Sequence, residues 1–170
     1  EAAIKERVGM LAGLEEIALA RAKDRIRVMP GAAELIATMA ADGAVSILVS
    51  GGFSYYADHV AGRLGFDAAQ SNRLEIEEGR LTGRVIEPIL GRDAKRQALL
   101  RIAEEREISL EETLAVGDGA NDLDMLAAAG LGVAFRAKPV VAASARARID
   151  HADLTALLYL QGYREAEIQG

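Results

Sequence analysis

The sequence predicts an α/β fold built on a mostly parallel sheet, and three observations carry that prediction. Short apolar runs of strand length alternate with segments of helical periodicity, the order that strand–helix–strand units produce. The strand-like runs AVSILVS (44–50), TLAVGD (113–118) and LGVAF (131–135) are near-continuously apolar rather than alternating, as expected when both faces of a sheet are covered. Finally, Ser50 and Asp118 fall at the carboxyl ends of two of these runs, on the rim where open α/β sheets bind ligands.

Element by element, the chain opens with two short helices, 2–12 and 14–23, broken near Gly13; Ile4, Val8 and Leu11 recur at helical spacing in the first. RIRVMP (25–30) reads as an extended linker closed by Pro30. GAAELIATMAADG (31–43) is a helix ended by Gly43. The strand 44–50 leads through Ser50-Gly51-Gly52 to a helix over about 54–64. FDAAQ (66–70) is a weak strand. NRLEIEEGRLTGRVI (72–86) alternates, with Glu78-Gly79 at its middle, and reads as a β-hairpin. The helix 92–107 carries Ala98, Leu99, Ile102 and Ala103 on one face. After it come strand 113–118, the helix DLDMLAAAG, strand 131–135, a helix near 139–146, a short strand ARID and a last helix near 153–160.

The bulk composition narrows the function. The 170 residues suffice for one domain with a core and a small appendage. Hydrophobic residues make up 51% and charged ones 27%, which is ordinary for a globular chain. With a net charge of −6 and no basic patch, the chain is expected to bind no nucleic acid. It contains no cysteine, which excludes disulfides and thiolate metal sites. No apolar run is long enough to span a bilayer and no signal peptide is visible, so no membrane partner and a cytoplasmic setting are expected. The chain begins inside a helical pattern, without Met or a capping residue, and reads as cut from something longer. Oligomeric state leaves no signature in the sequence.

The strongest chemical signal is LAVGDGANDLDML (114–126). Asp118 sits between two glycines at the end of an apolar strand, and Asn121 and Asp122 follow at the entry of a helix. N-capping alone accounts for Asn121 or Asp122 but not for Asp118. Two carboxylates and a carboxamide on one loop suit a hard cation and a phosphate, because magnesium takes oxygen ligands from one or two carboxylates plus phosphate and water. Asp124 reads as a first-turn acid. Ser50-Gly51-Gly52 offers backbone N–H groups and a hydroxyl to an anion; taken alone it reads more simply as a tight turn and helix cap. Lys95 could offset phosphate charge, although a lone lysine on a helix is more often solvated; Arg92 and Arg96 read as surface charges. Arg7, with Ala3, Met10 and Leu14 at i−4, i+3 and i+7, borders an apolar face, where it could fork onto a carboxylate ligand or snorkel to water. His59 and His151 read as structural.

In this order the pieces resemble the haloacid dehalogenase-like phosphatases. The matching strings are ERVGML (6–11), VMPGAAELI (28–36), LVSGGF (48–53), NRLEIEEGRLTG (72–83), DAKRQAL (93–99), VGDGANDLDML (116–126) and AFRAKP (134–139). The hairpin and the ERVGML helix narrow the resemblance toward the phosphoserine phosphatases among them. The resemblance implies a Rossmann-like three-layer core over 24–170 lacking its first strand, a β-hairpin insertion, and a remnant of a small helical cap over 1–23. It implies that Ser50 and Gly51 bind the phosphoryl group, that Lys95 steadies its charge, and that Asp118 holds Mg2+. Asn121 would contact the phosphate, Asp122 would support metal and lysine, and Arg7 would grip the substrate carboxylate. The implied reaction is magnesium-dependent hydrolysis of O-phospho-L-serine, a small phosphate ester, through an aspartyl-phosphate, as the last step of L-serine biosynthesis. The family's nucleophile and general acid/base lie in a DxDxT-type motif on its first strand, and this sequence has none: Asp122-Leu123-Asp124 has the spacing but opens a helix. Two other readings stay open: a related small-molecule phosphatase or phosphotransferase, and a catalytically silent phosphate- or metal-binding fragment.

Overall fold

The computed structural model describes residues 2–170, which divide into two units: residues up to Gly91 together with Leu157–Gly170, and Arg92–Ala156. Each unit carries its own three-stranded sheet, where the sequence suggests a single one, and three of the four strand pairings are parallel. The split follows from β1 (Ile47–Phe53) and β4 (Leu114–Gly117): each stands at the end of its sheet, with a neighbour on one side only among the described residues.

In the first unit, α1 (Ala2–Gly9) and α2 (Glu16–Lys23) flank a turn at Gly13, and α3 (Ala32–Ala41) precedes β1. The helix α4 (Ser54–Leu64) leads to β2 (Ala68–Glu77) and β3 (Arg80–Ile86). The weak strand 66–70 and the first arm of the hairpin are thus one ten-residue strand. Its first half pairs parallel with β1 and its second half antiparallel with β3. The hairpin turns at Glu78 and Gly79, both at positive φ (48° and 73°), the pairing that a two-residue turn matching strand twist requires. The free edge of β3 is covered by the α1–α2 connection, where Gly13 N–H donates to Leu81 O, Leu81 N–H to Leu14 O and Glu16 N–H to Gly79 O. The face of α1 that packs on β3 centres on Val8, 1% exposed; Met10, at 75%, points to solvent. The unit is completed by all but the first residue of α8 (Ala156–Leu160), whose Leu157 and Leu158 are fully buried, and by Gln169 N–H donating to the buried Thr38 Oγ1 at 2.9 Å.

The second unit runs α5 (Ala94–Glu105), β4, α6 (Leu123–Ala128), β5 (Leu131–Phe135), α7 (Pro139–Ser144) and β6 (Ala147–Ile149), with β4, β5 and β6 all parallel. Ala94, Ala98 and Ala103 bury the inner face of α5. Ala115, Leu126, Ala129, Ala134 and Val141 form the core, with Leu99 and Leu123 packed on it. Close packing here needs glycine beside the corner that follows β4: a Cβ on Gly117, the last residue of that strand, would lie 2.6 Å from Asp122 Oδ2. Among the described residues no helix is long and apolar enough to cross a membrane.

Candidate active site

Chain direction carries β4 into an irregular corner. Gly117 ends the strand, residues 118–119 turn, Ala120–Asp122 form one 3-10 turn, and α6 follows. Asp122 is 1% exposed, and both of its carboxylate oxygens are engaged. Oδ2 accepts the N–H of Asp118 at 2.9 Å and of Gly119 at 3.0 Å. Oδ1 pairs with Lys95 Nζ, reached from the first turn of α5. A carboxylate taken out of water needs such saturation, because each unpaired lone pair would add to its desolvation cost. Lys95 is correspondingly withdrawn, its side chain 19% exposed. It is not the solvated helix lysine that isolated sequence reading favours.

The same bonds shape the loop around Asp118. Its N–H is held by Asp122 and its C=O accepts Lys138 N–H at 3.1 Å. With its backbone pinned on both sides, the Asp118 side chain is exposed and makes no hydrogen bond among the described residues. Asn121 is likewise exposed, its Oδ1 lying 2.6 Å from where a Cβ on Gly119 would stand. Magnesium keeps several waters and is usually bound through one or two carboxylates plus phosphate. The Asp118 carboxylate is such a donor. Among the described residues no three His, Asp or Glu side chains converge as a closed cage. An exposed carboxylate on this loop is an oxygen donor of the type a hard cation takes beside water and phosphate. Among the described residues Arg92 pairs with Asp124, at 3.9 Å on the surface, and Arg96 is exposed.

Ser50, Gly51 and Arg7 belong to the first unit. Val49 pairs with Gln70 and Phe53 with Asn72, so four steps along β1 face two along β2. Ser50-Gly51-Gly52 is thus a bulge in a strand that continues to Phe53, where the sequence suggests a strand ending at Ser50. Bulges of this kind re-aim side chains and backbone groups at sheet rims. Ser50 Oγ accepts Gly52 N–H at 3.0 Å. It is not the helix cap: Phe53 holds that position, without a side-chain bond. Arg7 is exposed and its Nε donates back to Ala3 O at 3.1 Å; Ala3, Met10 and Leu14 are exposed too, so the apolar face expected beside it is not a packed one. His59 and His151 are exposed.

One residue of this neighbourhood escapes sequence reading. Asn72, 1% exposed, donates from Nδ2 to Gly51 O at 3.0 Å and accepts Leu90 N–H on Oδ1 at 2.8 Å. The available signal is an asparagine at the start of the hairpin pattern, which the structure places inside the ten-residue strand β2, where that residue is disfavoured.

Residues 1–127 match the family model of the haloacid dehalogenase-like hydrolases. This chain belongs to the haloacid dehalogenase-like hydrolases. Within that family it is similar to phosphoserine phosphatases. It is 45% identical over 169 residues to the phosphoserine phosphatase of Streptomyces coelicolor, covering 99% of this chain and 41% of the relative. It therefore spans less than half the length of that protein. A phospho-aspartyl intermediate analogue of phosphoserine phosphatase superposes with a TM-score of 0.88 at 39% identity, covering 94% of this chain and 77% of the other. A substrate-bound phosphoserine phosphatase complex gives 0.87 at 40% identity, covering 92% and 74%. The haloacid dehalogenase-like, Rossmann-like α/β assignment thus holds, and so does membership of a family of hydrolases.

Proposed function

We propose that the full-length protein is a magnesium-dependent phosphoserine phosphatase, converting O-phospho-L-serine and water to L-serine and phosphate at the end of L-serine biosynthesis. The observation that carries this reading is how Asp122 is used. It is consumed wholly by Lys95 and the loop N–H groups, so the exposed Asp118 carboxylate is left as the donor for a cation. Magnesium, when bound there, would offset charge on the transferring phosphoryl group. Lys95 supplies a second positive charge, held in place by Asp122. Ser50 and the Gly51 backbone bind phosphoryl oxygens, and Asn121 contacts the same group. No DxDxT-type string occurs in the 170 residues. We therefore assign the nucleophile and the general acid/base to carboxylates outside this sequence. A carboxylate oxygen bonds to phosphorus as the ester P–O bond breaks, and the serine oxygen takes its proton from the second acid. Water then attacks phosphorus and gives its proton to the second carboxylate, while the bond from phosphorus to the nucleophilic carboxylate oxygen breaks, freeing that carboxylate and phosphate. In the same reading, 1–23 belongs to a small helical cap and 24–170 to a core without its first strand.

The full-length protein is expected to release phosphate from O-phospho-L-serine, and Asp118→Asn to cut kcat/KM by about a hundredfold or more. Undiminished turnover by Asp118→Asn at saturating magnesium would overturn the reading. A second reading, a phosphatase for another small ester, is favoured by one observation: Arg7 is exposed and tied to its own helix. Comparing phosphoserine with uncharged phosphate esters, in wild type and Arg7→Ala, separates the two. A loss confined to phosphoserine supports a carboxylate grip; equal losses support the second reading.

A further inference from the structure

Among the described residues three polar side chains are fully buried: Thr38, Asn72 and Asp122. Thr38 anchors the C-terminal segment, and Asp122 anchors the Asp118 loop. Asn72 supports the Ser50 bulge from a neighbouring strand: it gives one hydrogen bond to Gly51 O on the bulge and takes the other from Leu90 N–H. Its amide orientation is decided by its partners. Nδ2 faces the Gly51 carbonyl and Oδ1 the Leu90 N–H; reversed, donor would face donor and acceptor would face acceptor.

The consequence runs through one peptide plane. With Gly51 C=O drawn toward Asn72, the trans geometry of the Gly51–Gly52 peptide turns Gly52 N–H the other way, where it meets Ser50 Oγ at 3.0 Å. A hydroxyl has one proton and two lone pairs. Once Oγ has accepted the Gly52 N–H, its proton remains to be given, and it is polarised by the bond already accepted. We propose that Asn72 is a positioning residue for phosphate binding: it holds the Gly51–Gly52 peptide so that Ser50 presents its hydroxyl proton to a phosphoryl oxygen. This rests on the reading of Ser50 as a phosphate ligand given above.

The test is a double-mutant cycle in the full-length protein, reading the dissociation constant of inorganic phosphate by calorimetry and kcat/KM for phosphoserine, with thermal melting to verify folding. Ser50→Ala and the near-isosteric Asn72→Asp are each expected to weaken phosphate binding about tenfold. The double variant should be no more than about twofold worse than Ser50→Ala, because Asn72 acts through that hydroxyl. Losses that multiply in full, as a merely structural role predicts, overturn the proposal, as does wild-type phosphate affinity in Asn72→Asp. A pH series adds a second readout. Once protonated, the introduced acid again donates to Gly51 O and accepts from Leu90 N–H, so the affinity ratio to wild type should recover toward one at low pH; a flat ratio counts against the proposal. If Asn72→Asp does not fold, Asn72→Ser carries the same cycle. The unmodified protein gives a check without substitution: the Asn72 Nδ2 proton resonances should shift on phosphate titration with the dissociation constant seen at Gly52 N–H, and no shift at saturation overturns the idea. A wild-type protein that neither turns over phosphoserine nor binds phosphate would instead sink the functional reading itself.

Discussion

Asp122 has two oxygens and three donors to serve, the Lys95 ammonium and two backbone N–H groups. Removing it in Asp122→Ala would leave a largely withdrawn cation and two loop donors without partners. The expected loss is about 3 kcal/mol of unfolding free energy, readable by urea titration. Gly117→Ala attacks the same group from behind, since its methyl would crowd the Asp122 carboxylate. It should cost about 1–3 kcal/mol and release Lys95; an unchanged urea midpoint would count against that packing account. That Asp118, Asn121 and Asp122 mark one irregular corner at the end of an apolar strand was legible, because neither helix capping nor strand propensity places an acid between two glycines at a strand end. The division of roles between the two acids was not. It depends on which carboxylate the chain buries, and both have the same one-dimensional surroundings. Lys95 was ambiguous for the same reason: its withdrawal comes from a residue 27 positions away. Asn72 was invisible as a loop support because its partners, Gly51 and Leu90, are distant in the chain and are reached through their backbone.

Among the elements, β2 sets the pattern by facing a bulge on each side. Asn72 pairs with Phe53 at the end of the β1 bulge. On the other side, Leu74 pairs with Val85 and Ile76 with Leu81, so β3 bulges opposite Glu75. There Glu75 Oε2 accepts from Thr82 Oγ1 at 2.7 Å and from Arg84 Nε at 2.6 Å. The Thr82 hydroxyl, then the Arg84 guanidinium, hold the Glu75 carboxyl below its ordinary value. A folded-state value lowered in this way adds stability above the ordinary carboxylate range, and that stability is lost as pH falls through the lowered value. Melting temperatures measured from about pH 5 to about pH 3 should therefore fall more steeply for wild type than for Glu75→Gln. Parallel slopes would show that the ion pair does not contribute. Helices and strands were largely legible from periodicity, and the Glu78-Gly79 turn from its residue types. The errors share one cause. Glycines at 51 and 52 look like the end of a strand in sequence, but a bulge lets the ladder resume at Phe53. An apparent gap between FDAAQ and the hairpin disappears because one strand changes partner without breaking.

For the whole molecule, the proposed phosphatase function makes phosphate and metal dependence the properties to measure. Chelation with EDTA should abolish phosphoserine turnover by the full-length protein, and magnesium should restore it; activity persisting in EDTA would remove the cation from the account. The alternation of strands and helices foretold the fold class because each unit obeys it separately. It could not foretell two sheets, since strand pairing is a long-range choice that local pattern does not record. The first unit is discontinuous: it consists of the residues up to Gly91 and Leu157–Gly170, whereas the second is the unbroken stretch Arg92–Ala156. Order of synthesis therefore treats them differently. A ribosome delivers all of the second unit before it releases Leu157 and Leu158, two side chains with no exposed surface in the finished first unit. The segment made first is thus the last to be completed. During translation α3 waits with Thr38 lacking the Gln169 N–H it will hold, and that interval is when the nascent chain has most need of protection from aggregation.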